Sequence, residues 1–145
     1  LLAVIFSSPI PLYSYGQSAD DAALRSLAKD FFAAYESRNV DRIMMLWSEK
    51  SPDSASSKQV FQQIFSINKI ELKSLTVHGI TATNDNATVR LVADISVVDE
   101  KTGKPAEGSG GVNRTLHCVK EGDQWKIWKY VKSESGVHPV RETRS

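Results

Sequence analysis

The sequence predicts an α+β fold in which three N-terminal helices pack on one face of a mainly antiparallel, four-stranded sheet. Three observations carry this reading. Apolar residues recur at helical spacing between Leu24 and Phe65. After Asn68 the texture changes to β-branched, alternating segments. Turn-forming clusters then divide that second half into four strands. The chain has 145 residues, 41% of them hydrophobic, enough for one domain with a core of its own.

The chain opens on "LLAVIF", followed by "SSPIPLYSYGQSADD". An apolar run, then prolines and small polar residues, then an acidic start has the form of a secretory signal truncated at its beginning. It would occupy residues 1–19, with cleavage after Gly16 or Ala19. The apolar run is too short to span a bilayer. A buried N-terminal strand is the alternative. Export implies a periplasmic or secreted protein with no stable membrane insertion once the signal is removed.

The domain proper is read as residues 20–135. Leu24, Leu27, Ala28, Phe31, Ala34 and Tyr35 form one helical stripe, with Asp20 and Asp21 placed to favour the N-terminal end of the dipole. "SRN" breaks the pattern. Val40, Ile43, Met44 and Trp47 form a second short stripe, with Asn39 as candidate cap. "SEKSPDSASS" is loop, and Pro52 blocks helix continuation. Ser56 with Gln59 fits a capping box that opens a third helix carrying Val60, Phe61, Ile64 and Phe65.

"IELKSLTVHGITAT" alternates for part of its length and ends at the turn "NDN". "ATVRLVADISVVD" alternates cleanly. Val89, Leu91, Ala93, Ile95 and Val97 lie on one face, and Arg90, Val92, Asp94 and Ser96 on the other. "EKTGKPAEGSGG" connects to two further strands, "VNRTLHCVK" and "QWKIWKYVKS", joined by "EGD". The remaining "GVHPVRETRS", residues 136–145, reads as a flexible tail or linker.

Composition excludes several functions. A formal charge of +1, with basic and acidic residues interleaved, leaves no basic stripe for nucleic acid. The single cysteine, Cys118, forms no intrachain disulfide, and His78, His117 and His138 lack ligand spacing. No metal or cofactor is expected. His117 and Cys118 are strand neighbours on opposite faces, so Cys118 reads as a small core residue.

Two segments carry a resemblance. "FFAAYESRNVDRIMMLWS" gives a helix and a short helix ending in an aromatic residue. "NRTLHCVKEGDQWKIWKYVKS" gives a closing hairpin in which an aromatic residue follows a Gly-Asp turn. Together they resemble the nuclear transport factor 2-like superfamily, close to its SnoaL-like and ketosteroid-isomerase-like branches. The resemblance implies a curved sheet wrapped around a helix, a cone with an internal cavity, and pairing as a homodimer through the sheet. A narrower likeness is to the N-terminal module of exported bacterial proteins of the CHAT and tetratricopeptide type.

The isomerases of this superfamily use an acidic general base and a tyrosine-centred oxyanion hole. Phe31 falls near their tyrosine and has no proton to donate. The base would fall in "SEKSPDSASS", where Asp53 is the near candidate, in a loop beside Pro52. The hollow is therefore expected to lack a phenol donor and a buried acid, and no residue is assigned as catalytic.

The cavity candidates are Tyr35, Trp47, Arg90, Asp94, His117, Trp128 and Tyr130. Arg90 and Asp94 lie four apart on one strand face, which suits either a polar ligand or a structural ion pair. Trp128 and Tyr130 are expected to share a face opposite Trp125, as a pocket wall or a dimer surface. The reading is an exported, non-catalytic module that binds a small apolar ligand or assembles as a dimer. The alternatives are an isomerase, lyase or hydrolase with an atypical residue set, and a spacer before a larger region.

Overall fold

The computed structural model describes residues 12–133. Helix α1 spans Leu12–Glu36, α2 Val40–Leu46 and α3 Ser54–Ile67. Strands β1 (Asn68–Thr83), β2 (Asn86–Asp99), β3 (Gly110–Glu121) and β4 (Gln124–Lys132) follow. They form one antiparallel meander in the order β1-β2-β3-β4. The α+β expectation of three helices on a four-stranded antiparallel sheet holds. The tail at 136–145 and most of the expected signal lie outside the described residues. No helix among the described residues is long and apolar enough to cross a membrane.

Helix α1 begins earlier than the sequence pattern indicated, and its backbone runs through the expected cleavage region. Asp20 and Asp21 therefore stand inside the helix rather than in its first turn. Asp21 pairs with Arg25 one turn on. Asp20 reaches across to the sheet, where its Oδ1 accepts from Trp125 Nε1 at 3.0 Å and from Lys120 Nζ at 3.3 Å. At α2, Asn39 caps as expected, its side chain accepting from Arg42 N at 3.0 Å. The Ser56–Gln59 capping box does not form. Helix α3 starts two residues before Ser56, so Ser56 is already helical and donates to Asp53 O.

The apolar row of β2 is buried against the helices, and the Arg90–Asp94 row faces outward. Strand β1 keeps its apolar residues on the same inner face only by inserting two extra residues. Ile70, Leu72, Leu75, Val77 and Ile80 are spaced two, three, two and three apart. The register shifts fall at Lys73 and His78. A third shift in β4 leaves Trp128 unpaired between Ile127, opposite Cys118, and Lys129, opposite His117. Such bulges bend and twist a strand, and they curve this sheet around α1. The loop after α2 straps β4: Trp47 bridges Ile127, and Ser51 Oγ donates to Trp128 O at 2.7 Å. The core is one cluster centred on Leu24, Phe31, Phe32, Ile43, Leu91, Leu116 and Ile127.

Candidate functional site: the cleft under the curved sheet

A cleft of about 1100 Å3 opens between α3, the inner face of β3 and β4, and the loop at Ala106–Ser109. Its floor is aromatic. Phe31 is fully buried, with the rings of Tyr130 at 5.0 Å, Phe61 at 5.9 Å, Tyr35 at 6.0 Å and Trp47 at 6.5 Å. Phe31 and Tyr35 meet because they are one helical turn apart. Tyr130 joins them because the Trp128 bulge reverses the side-chain alternation of β4. Tyr130 therefore shares the inner face with Trp125 and Ile127, and Trp128 is left outside. This corrects the expected pairing of Trp128 with Tyr130.

Above this floor stands Arg114, whose guanidinium carbon lies 5.8 Å from the Tyr130 ring centroid. It follows the buried row Val112, Leu116 and Cys118 on β3, so alternation turns it inward. Its Nη1 donates to Asn113 O at 3.0 Å. Among the described residues no carboxylate pairs with it. Burial pushes the phenols of Tyr35 and Tyr130 above their ordinary range, and the Arg114 charge opposes this only in part. Both hydroxyls stay protonated at neutral pH and so each keeps an O–H able to donate to a ligand.

Two further polar atoms in the cleft wall are buried without a hydrogen-bond partner among the described residues: Trp47 Nε1 and Asn68 Oδ1. Trp47 is 2% exposed and Asn68 4%. Asn68 spends its amide on Ile64 O at 2.9 Å, which leaves its carbonyl oxygen free. The carboxylates of the described lining, Asp53 and Glu107, sit at the rim. Asp53 is half-buried at the start of α3 and makes no capping bond; Glu107 is exposed.

Of the residues singled out in the sequence, Tyr35, Trp47 and Tyr130 line the cleft. Arg90, Asp94, His117 and Trp128 do not, because they occupy the outer sheet face. Arg90 and Asp94 are exposed and form no ion pair among the described residues. Arg90 folds over Gly79 on the neighbouring strand, where a Cβ would stand 2.5 Å from Nη2. His117 and Trp128 border a separate outer depression of about 540 Å3 with Thr81 and Thr88. The expected lack of a phenol donor is also overturned, since two phenols line the hollow. Phe31 itself is core.

Sequence reasoning missed Arg114 and Asn68. The signal for Arg114 was present: Val112, Arg114, Leu116 and Cys118 make one alternating row in which the other three members are apolar.

Comparison with known proteins agrees with this architecture. Residues 24–137 match the SnoaL-like domain family. No curated protein matches the chain. A ketosteroid isomerase-like protein from Erwinia carotovora atroseptica superposes with a TM-score of 0.63 at 14% identity, covering 75% of this chain and 91% of that one. A candidate dehydratase of the NTF2-like family from Streptomyces avermitilis gives 0.64 at 19% identity, covering 79% and 94%. A conserved protein from Planctomyces limnophilus gives 0.58 at 16% identity, covering 78% and 94%. These identities speak for shared fold, and the family match spans most of the chain. With its helices on a bulged antiparallel sheet and an aromatic-floored cleft between them, this chain belongs to the SnoaL-like domain family of the nuclear transport factor 2-like superfamily.

Proposed function

We propose that this domain is an exported, non-catalytic binding module that holds a small ligand in the cleft and pairs with a second copy through the outer sheet face. One observation carries the ligand-binding part. Trp47 Nε1 and Asn68 Oδ1 are buried polar atoms without partners among the described residues, and the two residues that carry them line one cleft. Leaving such atoms unpaired costs about 1–3 kcal/mol each, which a ligand's polar groups recover. The aromatic floor supplies the apolar contact surface that small-molecule sites use. The absence of a deep acid supports the non-catalytic part: among the described lining residues both carboxylates are at the rim.

The pairing surface is the row of Arg90, Val92, Asp94, His117 and Trp128. Val92 is 37% exposed, and the aromatic ring adds contact area of the kind interfaces favour. Native mass spectrometry of the purified full chain tests retained ligand, and light scattering tests pairing. A monomer that retains nothing, and whose melting temperature no compound shifts, contradicts the proposal.

A second reading has one observation in its favour. The Asp53 carboxylate lines the cleft rim, is not spent on a cap, and shares the cleft with two protonated phenols. An isomerase, lyase or hydrolase needs a base and a donor of this kind. Turnover in a broad substrate screen that disappears in both Asp53→Asn and Tyr130→Phe, with the fold intact, would establish it.

A further inference from the structure

We infer that the cleft recognises an organic carboxylate, with Arg114 holding the carboxylate and the aromatic floor holding an apolar body of aromatic-ring size. This rests on the reading of the cleft as a binding site and adds the chemical class of what it binds.

The polar groups of the cleft interior are unequal in kind. The Arg114 guanidinium, the Trp47 indole N–H and the Tyr35 and Tyr130 hydroxyls all present donors. Burial keeps both phenols protonated, so neither becomes a competing anion at neutral pH. Against these donors stands one fully buried side-chain acceptor without a partner among the described residues, Asn68 Oδ1. A donor-rich, positively charged recess selects a ligand that brings acceptors and negative charge. A planar guanidinium fits a carboxylate with two parallel N–H···O bonds. The cationic side chain is also not spent inside the protein: among the described residues it has a backbone carbonyl and the Tyr130 phenol as partners, and no acid. Among the described lining residues the exposed Lys129 and Lys132 match the acids Asp53 and Glu107 in number, which leaves Arg114 as the unmatched charge of the cleft. The predicted ligand therefore sets its carboxylate against Arg114, above the apolar body that the aromatic floor holds. Trp47 and Tyr130 both pack on Phe31, which brings the indole N–H and one phenol into a single aromatic neighbourhood under the same cleft.

The test compares acids with their own amides on the full chain, using 2-naphthoate against 2-naphthamide and 4-phenylbutyrate against 4-phenylbutanamide, by calorimetry and thermal shift. Each acid is expected to bind at least about tenfold more tightly than its amide, the size of one charged hydrogen bond. Arg114→Gln is expected to abolish that preference, weakening the acid much more than the amide. Tyr130→Phe is expected to reduce it without removing it. Equal binding of acid and amide overturns the carboxylate assignment and leaves the binding-module reading standing. A preference that persists in Arg114→Gln overturns the role of Arg114. If neither member of either pair binds, both the assignment and the cleft reading fail.

Discussion

Replacing Phe31 by alanine removes the ring on which the cleft floor is built. Phe31 is 0% exposed, so the whole ring leaves the core. Its neighbours come from four elements: Phe32 and Tyr35 from α1, Trp47 from the end of α2, Phe61 from α3 and Tyr130 from β4. Rings anchored on separate elements cannot all close on one hole, so little of the cavity collapses. The loss should fall in the range of about 3–5 kcal/mol found for buried Phe→Ala changes. At about 4 °C per kcal/mol for a domain of this size, the melting temperature should drop by roughly 12–20 °C. Urea and thermal unfolding followed by tryptophan fluorescence measure it. Val60→Ala serves as control: Val60 is 52% exposed and should change stability by less than about 0.5 kcal/mol. A Phe31→Ala loss below about 1 kcal/mol would refute the packing described here and the aromatic floor with it.

The Asp20 contact to the sheet predicts that Asp20→Ala costs about 1–2 kcal/mol in urea unfolding. Asp20→Asn should cost less, because it keeps an acceptor for Trp125 Nε1; no change in either variant would mean that α1 is not pinned at this point. Tyr35 and Tyr130 have pKa values raised by burial in the folded state. The stability they contribute is complete below the ordinary phenol pKa of about 10 and is lost as pH rises through their folded values. Ultraviolet titration should accordingly show phenolate appearing late and together with alkaline unfolding, whereas ordinary titration of every tyrosine near pH 10 would refute their burial. Burial also pushes the Cys118 thiol up to about 12. The native protein should resist thiol reagents at pH 8 and react fully only when unfolded; native labelling at the rate of a small free thiol would contradict its placement.

The helical half of the fold was legible because its stripes are unbroken: Leu24 to Tyr35 and Val60 to Phe65 each show one face. Strand β2 was legible for the same reason at period two. What stayed hidden follows from bulges. One extra residue exchanges the two faces of everything beyond it. The spacing from Ile70 to Ile80 carries two such insertions, which is why β1 showed only partial alternation. The insertion at Trp128 leaves no mark in composition, and it moved Tyr130 from the face it was expected to share with Trp128 to the face of Trp125 and Ile127. Arg90, Asp94 and His117 were assigned to the cavity on the premise that the polar face of the sheet lines it. The cleft instead lies on the apolar side, where its polar chemistry comes from isolated members of apolar rows, Arg114 above all. Asn68 was read only as the point where helix gives way to strand; its role depends on a side-chain amide satisfied on one side and bare on the other.

The central claim is that ligand binds the inner cleft and not the outer sheet face, and three indoles report on it directly. Trp47 lines the cleft and its buried Nε1 has no partner among the described residues, Trp125 Nε1 is bonded to Asp20, and Trp128 stands on the outer face. In a two-dimensional 15N–1H spectrum of the full chain titrated with 2-naphthoate, the Trp47 indole resonance should shift strongly while those of Trp125 and Trp128 hold still. Movement of the Trp128 resonance with Trp47 unmoved would place binding on the opposite face and contradict the account.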